Sequence, residues 1–206
     1  GQMCIRDRSG TTYKTDEEVT FTTKAGENID LTGESDTTFT TSNDAITFGT
    51  GTVEMGNGSN LIIDTGTGGG VIDLTPGVMG TSSENITLTA GTGNVTVGAI
   101  GTGSEIADVT ITSTGTTTFN GDFIGGTLEN TGPVVVGTDI NIGTGAVTFG
   151  GTLDSLNGSQ AITFNTPGFE INITGVIGGT NAFGTFTITD ADKFTYSGGG
   201  SIAGFK

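Results

Sequence analysis

Residues 85–112 read NITLTAGTGNVTVGAIGTGSEIADVTIT, and the triplets ITL, VTV and VTI within them each place a threonine between two apolar residues. The same apolar–Thr–apolar triplet returns along the chain, from Val19-Thr20-Phe21 to Phe194-Thr195-Tyr196. A period of two with β-branched residues indicates a short strand with one buried and one solvent-facing side. The triplets therefore predict an all-β chain built from many short strands.

The strands themselves recur at a longer interval of roughly 23 residues, which is typical of repeat architectures. Thr75-Pro76-Gly77 and Thr166-Pro167-Gly168 are separated by about four such intervals. Three interleaved sets of positions follow the interval. The first is Phe48, Val71, Val95, Thr117, Ile140, Ile162 and Phe186; the second is Phe39, Ile62, Ile86, Val109, Val134 and Leu156; the third is Ile29, Val53, Val78, Ile100, Phe123, Val147, Ile171 and Phe194.

Three short strands per interval, separated by Gly, Asn, Asp and Ser turns, describe one coil of a parallel β-helix. Each set of positions then forms one parallel sheet, with successive coils roughly 4.8 Å apart. An antiparallel sandwich is the alternative, but its strands do not require one spacing repeated through the chain. A helical fold is excluded by 39 glycines and by the lack of a helical period. We predict a single-stranded parallel β-helix (solenoid) of about eight coils, each of roughly 23 residues and three short strands.

The chain divides into three segments. Residues 25–206 carry the β-helix repeats and are expected to be truncated at both ends, and residues 9–24 are expected to form an irregular N-terminal lead-in. The stretch Met3-Cys4-Ile5-Arg6-Asp7-Arg8 resembles the translation of a transposase adapter used in sequencing libraries. We therefore interpret residues 1–8 as an assembly scar and the chain as a metagenomic fragment of a longer reading frame.

Charge is distributed unevenly, with 22 acidic residues, 6 basic residues and a net charge of −16. Residues 25–192 contain most of the acidic residues and no Lys or Arg. Because phosphate contacts need cations, nucleic acid is not an expected partner. No apolar stretch is long enough for membrane insertion. The acidic surface is expected to keep a β-rich rod soluble.

Calcium is the one cofactor that the acidic composition leaves open, because Ca²⁺ prefers oxygen ligands. Residues 56–62, GNGSNLI, partly match the Ca²⁺-binding nonapeptide G-G-x-G-x-D-x-U-x, with Asn60 in place of its Asp. Asn60 and Asp64 are therefore candidate Ca²⁺ ligands. The alternative for the same residues is a Gly/Asn turn.

Four polar residues, Asn85, Asp108, Asn130 and Asp154, follow one another at steps close to the coil interval. This spacing predicts a structural ladder at one coil corner, where stacked side chains bond successive coils. A ligand site is the alternative.

Catalysis is not expected. A glycoside hydrolase needs two carboxylates at a set separation; the carboxylates considered for this role are Asp64, Asp73, Asp108, Asp139 and Asp154. The chain has no histidine and no tryptophan, and its 12 phenylalanines fall mostly at inward strand positions. We predict no catalytic residue and no cofactor-binding residue, with a carbohydrate-binding or carbohydrate-cleaving β-helix as the alternative function.

A minor alternative is an ice-binding solenoid. Thr87-Leu88-Thr89 and Thr110-Ile111-Thr112 lie one coil apart and form an outward T-x-T patch, which is a pattern of ice-binding solenoids. The equivalent stretch one coil earlier, Ile63-Asp64-Thr65, interrupts the pattern.

The C-terminal half resembles the β-strand repeats of large bacterial surface proteins, the filamentous-haemagglutinin-like and autotransporter-like adhesins. The stretches that carry the resemblance are VTFGGTL (147–153), QAITF (160–164), ITGVIGG (173–179) and FTIT (186–189). The resemblance covers most of residues 25–197, rests on repeat pattern, and transfers no functional residue.

This resemblance implies a right-handed parallel β-helix outside the cell, used as an adhesin shaft or in a surface layer. The expected function is therefore a non-catalytic stalk segment of an exported bacterial cell-surface protein. Expected partners are neighbouring repeats of a longer chain and a host-surface or matrix ligand that binds outside this segment.

Overall fold

The computed structural model describes residues 12–24, 26–33, 35–101, 106–143, 145–199 and 202. All regular structure in these ranges is β-strand, so they contain no helix that could cross a membrane. The strands are β1 (Thr12–Thr15), β2 (Val19–Phe21), β3 (Ile29–Leu31), β4 (Thr37–Thr41), β5 (Ile46–Phe48), β6 (Val53–Met55), β7 (Leu61–Asp64), β8 (Ile72–Leu74), β9 (Val78–Met79), β10 (Glu84–Gly91), β11 (Val95–Val97), β12 (Ile106–Ser113), β13 (Thr117–Phe119), β14 (Phe123–Ile124), β15 (Leu128–Asn130), β16 (Val134–Val136), β17 (Ile140–Gly143), β18 (Val147–Phe149), β19 (Leu153–Ser155), β20 (Ala161–Ile173) and β21 (Thr185–Tyr196).

The strands visit three sides in turn, and every named pair is parallel. Side 1 contains β1, β4, β7, β10, β12, β15 and β18; side 2 contains β2, β5, β8, β11, β13, β16 and β19; side 3 contains β3, β6, β9, β14 and β17, with Ile100 bridging β9 and β14. The first parts of β20 and β21 pair on side 3 and their last parts on side 1, so these two strands turn a corner. The predicted parallel solenoid of about eight coils is confirmed.

The triplets form strands because each one buries two side chains and exposes the third. In β11, Val95 and Val97 are buried, whereas Thr96 between them is partly exposed. One continuous hydrophobic core runs along the stack. A single coil could not offset the backbone entropy of its residues, at about 1–2 kcal/mol each, so stability depends on coil-to-coil stacking.

Coil length varies much more than the sequence interval predicts. Thr23 and Thr50, which hydrogen-bond across one coil near the N-terminal end, lie 27 residues apart in the sequence. Asp108 and Thr127, which bond across a later coil, lie only 19 residues apart. The pairing of Thr117 with Val134 on side 2 closes a coil that is shorter still. The average coil length stays near 23 residues because long coils in the N-terminal half compensate for these short ones.

The short coils break the predicted columns. The third set is correct from Ile29 to Phe123, but Phe123 then pairs with Ile142 on side 3, and Val147 lies on side 1. One average interval contains more residues than a short coil. A residue one interval further along the chain therefore lies on the next side instead of the same side. The first and second sets fail in the same region: Ile140 lies on side 3 rather than beside Thr117, and Val134 lies on side 2.

Three members of the predicted columns do not face the core. Val71 and Leu156 flank strands and are 36% and 55% exposed, and Ile62 points outward from β7. Ile72 and Ile63 are buried next to Val71 and Ile62. The two Thr-Pro-Gly tripeptides also occupy different corners, the first after β8 on side 2 and the second within β20 between sides 3 and 1. Their separation of four average coils is therefore not a repeat of one position.

The lead-in predicted over residues 9–24 is wrong in its described part. β1 and β2 lie there and pair in register with β4 and β5 as the first coil. The Val19-Thr20-Phe21 triplet already carried the strand pattern. The predicted scar over residues 1–8 lies outside the described residues.

Aromatic rings fill the core at both ends of the stack. Tyr13, Phe21, Phe39 and Phe48 contact one another near the N-terminal end. In the later coils, Phe149 lies with its ring centroid 6.2 Å from Phe119 and 6.4 Å from Phe164, so one ring from each side meets in the centre. Large rings suit this region because the short coils contribute fewer inward residues.

Candidate functional site

A ladder of polar side chains joins successive coils at the corner that precedes side 1. Each member directly precedes a buried residue of its side 1 strand, and its side-chain oxygen accepts the backbone N–H of the equivalent residue one coil on. The N···O distances are 2.9 Å from Asn60 to Asp36, 2.8 Å from Asn85 to Asn60, 3.0 Å from Asp108 to Asn85 and 3.3 Å from Thr127 to Asp108. The ladder therefore bonds five consecutive coils.

Only two of the four predicted ladder residues, Asn85 and Asp108, belong to this ladder. Asn130 points into the core from β15, where its side chain accepts a hydrogen bond from the Thr117 hydroxyl at 2.7 Å. Asp154 lies in β19 on side 2, and its carboxylate accepts the Thr180 N–H at 2.8 Å. Because the coil from Val109 to Leu128 is short, residues spaced at a constant interval no longer fall at the same corner after it.

The same kind of hydrogen bond between coils occurs at other corners, whose residues the interval of roughly 23 residues does not predict. The Asn94 side chain accepts the Thr116 N–H at 2.9 Å before side 2, and the Asp122 and Asp139 carboxylates accept the Asn141 and Ala161 N–H groups at 2.7 and 2.8 Å before side 3. The signal in the sequence is an Asp or Asn directly before an inward apolar residue. The chemistry of these corners is structural, because the accepting oxygens are occupied by backbone donors.

Glu84 is a buried carboxylate that sequence reasoning also missed. It accepts backbone N–H groups from two neighbouring coils: Thr81 at 2.8 Å, Ser82 at 3.0 Å and Gly58 at 3.2 Å. Burial raises the pKa of the Glu84 carboxyl, whereas these N–H groups and its own lower it by more, so the pKa lies below its ordinary value of 4.5. Glu84 thus binds the turn before β10 to the turn before β7.

The candidate Ca²⁺ ligands do not converge. Asn60 precedes β7 and Asp64 is its last residue, and each already accepts a backbone N–H, from Asn85 and Gly66 respectively. Asn57 and Gly58 have positive φ angles, so the segment from Gly56 adopts the alternative predicted for it, a Gly/Asn turn. Among the described residues, no group of three or more His, Cys, Asp or Glu side chains could hold a metal ion.

The five aspartates considered for hydrolysis lie on different sides or in different coils. Asp64 lies on side 1; Asp73 and Asp154 lie on side 2 but belong to strands separated by β11, β13 and β16 in that sheet. Asp108 and Asp139 lie at two different corners. Each of the five accepts at least one backbone N–H. The structure therefore does not assemble them into a carboxylate pair.

A cavity of about 250 Å³ lies at the N-terminal end of the described solenoid. Tyr13, Val19, Phe21, Phe39 and Ile46 supply most of its aromatic and aliphatic lining. These side chains continue the hydrophobic core, and they offer packing surface rather than reactive groups.

Side 1 carries two outward columns in register, which together we call the threonine face. The first column is Thr12, Thr38, Ile62, Thr87, Thr110, Glu129, Thr148, Asn172 and Thr195; the second is Lys14, Thr40, Asp64, Thr89 and Thr112. Two columns exist because β4, β7, β10 and β12 are longer than most strands of sides 2 and 3.

No family model matches the chain, and neither a curated protein nor a solved structure gives a significant match.

Proposed function

We propose that this chain is a non-catalytic stalk segment of an exported bacterial cell-surface protein, in which the solenoid holds a binding region away from the cell. The observation that carries the proposal is the continuous bonding along the stack. Parallel ladders on three sides join the coils, and the corner side chains from Asp36 to Asp108 add bonds in the same direction.

The direction of these bonds matters for a shaft. Strands in a solenoid lie across the long axis, so their hydrogen bonds point along it. Tension or bending applied to the shaft is therefore shared by three backbone ladders and by the corner ladder. The acidic surface supports the same role, because like charges discourage side-by-side pairing of exposed strands.

Single-molecule pulling from residue 12 to residue 199 tests the mechanical part of the proposal. We expect a series of small, regular extensions, because axial force opens one coil at a time. An average coil releases about 80 Å of chain, and the short coils between Thr117 and Leu153 release less. The double variant Asn85→Ala/Asp108→Ala should lower the force for the middle coils, whereas Asn172→Ala, which removes an outward side 1 amide, should not. A single extension at low force would contradict the proposal.

The genomic neighbourhood tests the location. We expect an export signal or an outer-membrane anchor in the same reading frame as this segment. A reading frame that instead joins it to a cytoplasmic enzyme would contradict the assignment to the cell surface, whatever the pulling experiment shows.

A further inference from the structure

The threonine face differs chemically from the corners. Corner threonines use their hydroxyls inside the protein: Thr65 donates to the Gly70 carbonyl at 2.8 Å, and Thr174 donates to the Gly150 carbonyl at 2.7 Å. In contrast, none of the threonine hydroxyls of the face makes a hydrogen bond within the described part of the chain; these residues are Thr12, Thr38, Thr40, Thr87, Thr89, Thr110, Thr112, Thr148 and Thr195. The face therefore presents free hydroxyls beside methyl groups.

The hydroxyls form a two-dimensional array. Neighbouring coils are separated by about 4.8 Å, and the two columns, two residues apart along a strand, are separated by about 6.6 Å. Thr87 pairs with Thr110 and Thr89 pairs with Thr112, so the four side chains occupy the corners of one cell of this array. Both spacings are set by the backbone and do not depend on the side-chain rotamers.

The face is also low in charge for this acidic chain. Of its positions in the two columns, only Lys14, Asp64 and Glu129 are charged. The two columns hold no aromatic side chain, although stacking on aromatic rings is how protein surfaces commonly hold sugar rings. The array thus favours a ligand that repeats in two directions, is uncharged, and offers hydrogen-bond donors and acceptors at every lattice point.

We propose that the threonine face binds the surface of ice crystals. Ordered water meets the chemistry of the face: each hydroxyl can donate to and accept from a lattice water, while each methyl group favours neighbouring waters that are already ordered. Because the protein atoms are fixed by the coil stack, the face loses little conformational freedom on binding. This inference does not rest on the proposed stalk function.

Non-threonine residues interrupt both columns, at Asp64 in the second and at Ile62, Glu129 and Asn172 in the first, and two of them provide a test by gain of function. Ile62 separates Thr38 from Thr87 in the first column, and Glu129 separates Thr110 from Thr148. The double variant Ile62→Thr/Glu129→Thr makes the column continuous in threonine from Thr38 to Thr148. We expect it to increase thermal hysteresis and inhibition of ice recrystallisation several-fold over the parent chain. Val135→Thr is the matched control, because it extends the Thr96–Thr118 column on side 2.

A loss-of-function pair completes the test. Thr87→Lys places a flexible charged side chain in the array, whereas Thr96→Lys makes the same change on side 2 of the same coil. We expect the first to abolish ice activity and the second to leave it unchanged, with equal melting temperatures for both. The proposal is overturned if the parent and the repaired double variant show no ice activity, or if both lysine variants behave alike. It is also overturned if the face retains crystalline cellulose or chitin in a pull-down but not ice.

Discussion

Replacing Phe149 by alanine is expected to lower the free energy of unfolding by about 3–5 kcal/mol, which is the usual cost of removing a buried phenylalanine ring. Phe149 is fully buried and contacts one ring from each of the other two sides. The remaining cavity would lie at the centre of the short coils, where neighbouring rings are tied to three hydrogen-bonded sheets and relax little. Urea denaturation followed by circular dichroism measures the effect.

Phe169→Ala is the matched control for this prediction. Phe169 is 50% exposed, so the same truncation there should change the unfolding free energy by less than about 1 kcal/mol. Equal losses in the two variants would show that Phe149 does not lie in the core. Because coils stack in one dimension, Phe149→Ala should also make the C-terminal coils unfold before the N-terminal ones.

Replacing Glu84 by glutamine is expected to cost about 1.5–3 kcal/mol at neutral pH, which is the range for hydrogen bonds to a charged group. Glutamine keeps the size of the side chain but turns one accepting oxygen into an NH₂ group, which faces a backbone donor in either orientation of the amide: Gly58 in one, Thr81 and Ser82 in the other. Glu129→Gln, which makes the same change on the exposed threonine face, should have little effect.

The pH dependence of the Glu84 effect follows from the lowered pKa. A carboxyl group whose folded pKa lies below its unfolded pKa stabilises the fold above the unfolded value, and this contribution disappears as pH falls through the folded value. The difference between the parent and Glu84→Gln should therefore be constant near neutrality and shrink as the pH falls below about 4.5. A difference that grows with acidification would contradict this account.

The strand pattern is the part of the fold that local sequence determines. Triplets such as Val95-Thr96-Val97 specify a strand, its buried face and its solvent face through side-chain chemistry alone. The choice of a parallel solenoid also follows from the sequence, because many short strands recur at an interval that matches a coil. Both predictions are confirmed by the structure.

The pairing of strands between coils after Thr117 could not be predicted from the sequence. The triplets have similar local sequences, and the interval is only the average of the coil lengths. Which triplet stacks on which depends on the number of residues in each corner. Asn130 shows the consequence: its position one interval after Asp108 suggested a corner residue, whereas it lies in the core beside Thr117. Glu84 was missed because its donors come from Gly58 as well as from its own turn, a contact that only stacking creates.

The central claim is that the chain winds in parallel coils and that the coil beginning at Thr117 closes at Val134, well short of the average interval. Pyrene excimer fluorescence tests it directly, because two pyrene labels form an excimer only in contact. In a Cys4→Ser background, Thr118→Cys/Val135→Cys places both labels outward on directly paired residues of β13 and β16. Thr118→Cys/Asn141→Cys separates them by one average interval and places them on sides 2 and 3. We predict strong excimer emission from the first pair and none from the second; the reverse result would contradict the coil register.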